Sequence, residues 1–314
     1  MNNRICDLHC DTLYNLRKID GSLAKNQGHL SLEKLSEFES FLQVLAVWSE
    51  HKHTNNEAFD AFLESAKRLS TEIKSAQKEG YRVALAKSGS DITENEKNGI
   101  SSLVLAVEGG KLLDTDLEKL DTLHSLGVRL LTLVWADTCP IGGAHNNNEG
   151  LTEFGREVVK KCFETGIIPD VSHANTRQID EVLEIAQTYN KPVVATHSNS
   201  KSVHIHTRNL TDGHYREIVR LGGVVGVSMA CEHLSEENAD INDYVKHIMH
   251  YFNLSPDGVC LGGDFDGVER LPIGIKDVRS YKDVAIRLVK AGLDNSDVEK
   301  IMYKNARDFL VKNL

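Results

Sequence analysis

The chain has 314 residues, 40% of them hydrophobic and 26% charged, proportions ordinary for a soluble globular fold. Asp and Glu outnumber Lys and Arg by 46 to 36, a net charge of −10, which argues against nucleic acid as the main partner because phosphate binding needs clustered cations. Proline is scarce at 5 and no stretch is of low complexity, so the composition also speaks against intrinsic disorder.

In chain order, the first segment, Met1 to Asp7, lacks the apolar region of ~7–15 residues that a secretory signal needs. No run of ~18 apolar residues follows, so no membrane span is expected. The six cysteines (Cys6, Cys10, Cys139, Cys162, Cys231 and Cys260) are scattered and form no C-x-x-C pair. Reduced, mostly buried thiols in a cytoplasmic protein are the expectation.

Short runs rich in Val, Ile and Leu then recur at Arg4–Leu8, Phe41–Val47, Ser102–Val107, Val128–Val134, Ile167–Val171, Pro192–Thr196, Gly223–Val227 and Gly258–Gly262. Helical periodicity lies between most of them. Phe154, Val158 and Cys162 share a helix face, with Thr152 as N-cap and Gly166 as stop. Ile179, Val182, Leu183 and Ala186 form another such face, and Val298, Ile301, Met302, Ala306 and Phe309 read as a closing helix. Continuous apolar strands alternating with helices imply an α/β protein with a parallel sheet covered on both faces. About eight repeats fit a (β/α)8 TIM barrel better than an open doubly wound sheet. Gly222-Gly223-Val224-Val225-Gly226 does not follow the dinucleotide pattern, and no linker-like shift in composition appears. Residues 1–314 are therefore read as one domain.

Metal-binding residue types sit where these runs end. The first ends in Leu8-His9-Cys10-Asp11-Thr12, where strand alternation would turn His9 and Asp11 to one side and Cys10 to the other. The third ends in Val107-Glu108-Gly109-Gly110, the fifth in Asp170-Val171-Ser172-His173, the sixth in Thr196-His197-Ser198 and the eighth in Gly262-Gly263-Asp264-Phe265-Asp266-Gly267. In a barrel these ends meet at one mouth. His9, Asp11, Glu108, His173 and His197 are more donors than the ~4 one tetrahedral cation takes. With Glu108 between them they suit two divalent metal ions about 3.5–4 Å apart. The mixed imidazole and carboxylate set favours Zn²⁺, with Mn²⁺, Co²⁺ or Fe²⁺ as alternatives. A single histidine at a strand end is usually a hydrogen-bonded core residue; donors at four separate strand ends are hard to read that way.

Other polar clusters read more simply. His51-Lys52-His53 and His204-Ile205-His206 lie in polar stretches and are expected in solvated loops. Asp266 is expected to shape a turn, Asp170 either to orient a ligand or to cap a helix, and Ser235 to Asp240 to form a solvated helix start.

The strand-end stretches, together with Asp7 and Gly150-Leu151-Thr152-Glu153-Phe154-Gly155, resemble the membrane dipeptidase (renal dipeptidase) family, peptidase family M19. The likeness runs in order from residue 7 to about residue 270. It implies a binuclear zinc hydrolase on an amidohydrolase-like barrel, cleaving the amide bond of small dipeptides, some with a C-terminal D-residue, by a metal-bridging hydroxide. By the same resemblance His9 and Asp11 hold one zinc, His173 and His197 the other, and Glu108 bridges them. Asp264 lies beside the reacting water as a catalytic acid–base, Arg208 binds the substrate carboxylate, and a homodimer is an expected assembly.

One stretch departs from the family. Where relatives often carry a histidine, in a pattern like Leu-Thr-Leu-Thr-His, this chain reads Leu131-Thr132-Leu133-Val134-Trp135. The Trp135 indole can donate a hydrogen bond but cannot shuttle protons. His145, in a Gly- and Asn-rich loop ten residues later, is the candidate to reach back, so both are read as substrate-binding residues. Two alternatives stay open. One is another amidohydrolase-type reaction on a lactone, phosphoester or amine, which Arg208 argues against. The other is a non-catalytic barrel that binds a small ligand, which the complete donor set argues against.

Overall fold

The computed structural model describes residues 3–50, 52–136 and 138–314. Eight strands are named in it: β1 (Arg4–Asp7), β2 (Ser40–Trp48), β3 (Val83–Leu85), β4 (Ser101–Glu108), β5 (Val128–Thr132), β6 (Ile168–Asp170), β7 (Val225–Val227) and β8 (Val259–Leu261). Every pairing between them is parallel.

The ring runs β1–β2–β4–β5–β6, then residues 192–196, then β7–β8 and back to β1. The sixth predicted run forms no regular strand. It fills its place through the parallel bridges Asp170↔Val194 and Ala195↔Val225. Backbone bonds from Val171 N to Val194 O (2.8 Å) and from Gly226 N to Ala195 O (2.8 Å) close the circle there. β3 is an addition that the sequence reading does not contain. It pairs only with the first half of β4, Val83↔Ser101 to Leu85↔Leu103, and β5 takes the second half from Leu105 onward. The expected (β/α)8 barrel is therefore present, with its sixth position held by a bridge-only segment.

Alternation along the strands separates two apolar populations. Cys6, Leu42, Val44, Ala46, Val104, Ala106, Leu130, Ile168, Val194 and Cys260 turn inward and pack as one cluster. Ile5, Leu45, Leu103, Leu105, Leu131, Val225 and Leu261 turn outward against the helices. The inner cluster is completed by Tyr303, Ala306, Phe309 and Leu310 of the closing helical segment. These side chains plug the end of the barrel where the strands begin. Polar residues are thereby left to the opposite mouth.

The surrounding helices start and stop where their sequence signals lie. Thr152 accepts from Gly155 N at 2.9 Å to start the helix Glu153–Thr165, and Gly166 ends it at φ +84°. Asp240, the last residue of the acidic run, caps the helix Ile241–Leu254. All six cysteines are free. Among the described residues no helix is long and apolar enough to cross a membrane.

If the plug carries the barrel interior, Phe309→Ala should lower unfolding stability by about 3–5 kcal/mol. The readout is a lower urea midpoint at unchanged slope; a loss below about 1 kcal/mol would show that the inner cluster does not depend on it.

Candidate metal centre

β1 stops at Asp7, two residues short of His9. Strand alternation therefore does not align His9 with Asp11, contrary to the sequence expectation. A bend does it instead. Asp7 Oδ1 accepts the His9 N–H at 2.9 Å, and Asp11 becomes the N-cap of the short helix Thr12–Asn15. The two side chains still converge, with His9 Nε2 3.4 Å from Asp11 Oδ2. Cys10 turns away and sets its thiol on the Val44 carbonyl at 3.5 Å. Glu108, by contrast, simply continues the inward face of Val104 and Ala106. His173 (φ +72°) and Asp264 (φ +59°) leave their strand ends in the left-handed region, which costs non-glycine residues energy and is tolerated where packing dictates it.

Glu108 stands between two groups of donors. Its Oε1 lies 2.9 Å from His173 Nε2 and 3.4 Å from His197 Nε2. Its Oε2 lies 3.6 Å from His9 Nε2. Asp264 Oδ1 approaches His9 Nε2 at 3.9 Å from the far side. Three donor groups stand among the described residues: Glu108, His173 and His197; His9, Asp11 and Asp264; and, straddling these two, His9, Asp170 and His197. His9 Nε2 and Asp11 Oδ1 are buried without a hydrogen-bond partner. Orphans of this kind cost roughly 1–3 kcal/mol each, more when charged, and a divalent cation satisfies them. The donor chemistry, imidazole and carboxylate, fits such an ion.

Charge in this cluster is strongly redistributed. Burial would raise the Glu108 carboxyl, but the imidazoles of His9, His173 and His197 override it and hold it well below its ordinary value. Burial would lower His9, yet Glu108 and Asp11 raise it well above the usual imidazole range. Burial, with the Arg208 guanidinium nearby, pushes His173 down to about 3. Burial also sets His197 well below its ordinary value. His173 and His197 thus face Glu108 in the protonation states that a cation requires, whereas His9 and Asp11 would release protons on binding one. Burial and the Glu108 charge raise Asp11, and Asp264 is pushed up to about 6 by burial against opposing pull from His9.

A second layer fixes the imidazoles. Asp170 accepts Ser172 N (2.9 Å) and Thr196 N (3.0 Å) on Oδ1, and Thr132 Oγ1 (2.5 Å) and Thr196 Oγ1 (2.6 Å) on Oδ2. Its oxygens are thereby occupied, so it supports the centre rather than capping the next helix. The Thr196 hydroxyl spends its proton on Asp170 and can only accept from His197 Nδ1 at 2.8 Å. This sets the His197 tautomer and leaves the Nε2 lone pair facing Glu108. The same hydroxyl oxygen lies 3.3 Å from His9 Nδ1, so one side chain orients an imidazole from each donor group. Gly226 and Gly262 make room for it: a Cβ on either would fall 2.1 or 1.9 Å from the Thr196 carbonyl oxygen.

The cluster forms the floor of a cavity of about 690 Å³. Asp11, Glu108, His173, Asp264, Arg208, Trp135 and His145 all line it. Arg208 is buried, and its Nη2 makes a long bond of 3.4 Å to the His197 carbonyl. Among the described residues no carboxylate lies within ion-pair distance of it. His145 is anchored by its backbone N–H on the His173 carbonyl at 2.8 Å, and its side-chain Nδ1 lies 3.0 Å from Thr207 Oγ1. Trp135 stands 6.0 Å from the His173 ring.

Some expectations need correction. Ile205 is 83% exposed, as a loop residue should be, but its neighbour His206 turns into the cavity. His51 lies outside the described residues, and His53 lines a smaller adjoining cavity. Asp266 does shape a turn, accepting Thr12 Oγ1 (2.7 Å), Asn15 Nδ2 (3.0 Å) and His29 N (2.6 Å). Tyr14, Trp48, Glu232 and His233 also line the cavity and are absent from the sequence reading. Only Trp48 left a trace there, as the next inward position after Leu42, Val44 and Ala46.

Loss of the Thr196 hydroxyl should loosen the centre. Thr196→Val is expected to weaken cation binding about 10–100-fold in a chelator competition, with Thr196→Ser close to the parent. Unchanged affinity in the valine variant would remove the orienting role.

Comparison with known proteins agrees with this geometry. Residues 2–309 match the membrane dipeptidase family, peptidase family M19. An uncharacterized dipeptidase of Schizosaccharomyces pombe is 32% identical over 219 residues, which are 67% of this chain and 52% of that protein. The match thus spans about half the length of that curated relative. A crystal structure of the metallopeptidase dipeptidase AC, of family M19, superposes with a TM-score of 0.89 at 27% identity, covering 100% of this chain and 99% of the other. A metallopeptidase from Rhodobacter sphaeroides, holding a phosphinate mimic of the dipeptide L-Ala-D-Ala, superposes with a TM-score of 0.87 at 27% identity and covers 100% of both chains. A barrel whose strand ends gather these donors, matched over nearly its whole length, belongs to the membrane dipeptidase family.

Proposed function

We propose that the chain is a metal-dependent dipeptidase that holds two divalent cations, zinc by preference, and hydrolyses the amide bond of small dipeptides. The observation that carries this reading is the pairing of a buried imidazole and carboxylate donor set with a buried guanidinium that, among the described residues, has no carboxylate within ion-pair distance, all in one cavity. The likeness to a metallopeptidase that holds a mimic of L-Ala-D-Ala supports tolerance of a D-residue at the second position. A cytoplasmic site of action belongs to the same proposal and is supported by six unpaired thiols.

His9 and Asp11 would hold one cation, His173 and His197 the other, and Glu108 would offer an oxygen to each. Cations bound there supply Lewis acidity and lower the pKa of water to ~7. Asp264, raised to about 6, can take the proton of the attacking water and return it to the departing amine near neutral pH. Arg208 presents a planar fork that suits a terminal carboxylate, and this places the peptide and limits its length on that side. Trp135 and His145 line the same cavity and would stand above the reacting carbonyl. His145, lowered to about 4 by burial and by Arg208, is neutral at physiological pH and serves as a hydrogen-bonding group rather than a charge.

Elemental analysis should find two cations per chain, removable by chelator, and a panel including L-D pairs should be cleaved. Bound cations with every dipeptide left intact would instead favour another amidohydrolase-type reaction. Glu108→Gln should reduce turnover to background; a near-normal rate would refute the bridging role. Arg208→Ala should mainly raise KM for peptides with a free C-terminus. An equal loss on amidated peptides would contradict the carboxylate clamp.

A further inference from the structure

The cavity has two unlike walls, and the order of strands around the ring separates them. Tyr14 follows β1, Trp48 ends β2 and Trp135 follows β5. His206 and Arg208 follow the bridge segment at 192–196, and His233 follows β7. One half of the mouth therefore carries the three aromatic rings, with Lys18 over the Tyr14 ring and His145 beyond Trp135, and the other carries imidazoles and a guanidinium together with Glu232. Glu108, at the end of β4, lies in register beside Trp48 of β2 and Thr132 of β5, on the aromatic side.

The aromatic wall is continuous. The rings of Tyr14 and Trp48 meet edge to face with centroids 4.9 Å apart, and those of Trp48 and Trp135 lie 4.8 Å apart at 59°. All three residues are half-buried and keep part of their surface toward the cavity. With the terminal carboxylate on Arg208, the carboxyl-side residue of a dipeptide fills the basic half. The amino-terminal residue must then extend over the aromatic half. We propose that this wall, with Trp135 as a specificity-determining residue, selects dipeptides whose amino-terminal side chain is large and apolar or aromatic. This rests on the dipeptidase reading above and adds the substrate class to it.

What lies behind Trp135 decides the effect of removing it. The indole also lines a second cavity of about 410 Å³, whose other walls include Ser49, His53, Lys111 and Cys139. Cutting the side chain back opens the substrate space onto a polar recess rather than a larger apolar pocket. A bulky apolar group then loses its partner surface and gains no other.

The test compares kcat/KM of the metal-loaded enzyme on Phe-Gly, Leu-Gly, Ala-Gly and Gly-Gly. The parent should prefer Phe-Gly over Gly-Gly by about 10–100-fold, mostly through KM. Trp135→Ala should reduce that ratio at least about tenfold, and Trp135→Phe should keep most of it. No preference in the parent, or an unchanged ratio in an alanine variant of unaltered melting temperature, would overturn the proposal. Should no peptide be cleaved, the dipeptidase reading fails by itself. Equilibrium binding of the same four peptides then decides on the wall: tighter Phe-Gly binding that Trp135→Ala abolishes supports it, and equal binding overturns it.

Discussion

Ionised carboxylates crowded into a dry space are costly unless positive charge stands among them. Moving one carboxylate out of water costs several kcal/mol even after the protein relaxes. This protein places Asp11, Glu108 and Asp264 together on the floor of one cavity, with His9, His173 and His197 packed around them. Glu108 already draws the three imidazoles toward it, and atoms of His9 and Asp11 remain without partners. The demand of these groups for cations governs the rest of the mouth. A closed ring is what allows residues as distant in sequence as His9 and Asp264 to meet, because β1 and β8 are neighbours only through closure.

The backbone beneath the centre is tied by two buried aspartates with similar tasks. Asp7 accepts His9 N at 2.9 Å, Gly263 N at 3.2 Å and the Tyr281 hydroxyl at 2.5 Å. It fastens the top of β1 to the top of β8, the two places from which His9 and Asp264 emerge. Asp170 does the same between β6 and the bridge segment, below His173 and His197. Strands that end leave backbone N–H groups unpaired, and a buried carboxylate that collects several of them makes the ends rigid. Positive φ at His173 and Asp264 is held in place by this stapling.

The parts of the fold and the site that were legible from sequence are those carried by residue type. Eight apolar runs announce eight ring positions, Thr152 and Gly166 bracket a helix, and the donors stand where runs stop. Less could be read where the backbone leaves regular geometry. The bend after Asp7, not strand pleating, brings His9 and Asp11 together. Thr196 and Thr132 are common residues whose roles depend on contacts made across the ring, so nothing local marks them. β3 escaped notice because three residues paired to half a strand carry almost no periodic signal. His206 reads as a solvated loop residue because its neighbour Ile205 does face water and the stretch before it is polar, although Ser198, Asn199 and Ser200 in that stretch are buried.

The helical plug has a consequence for how the chain reaches this state during synthesis. Tyr303, Ala306, Phe309 and Leu310 complete the inner cluster, yet they leave the ribosome after all the strands. Until then Cys6, Leu42, Val104 and Cys260 have no cover on that side, and a nascent barrel exposes a greasy orifice. Contacts between the first strand and the last carry a large loop-closure cost and form late. A growing polypeptide of this kind carries exposed apolar surface, and with it a tendency to aggregate, until the closing helical segment has emerged.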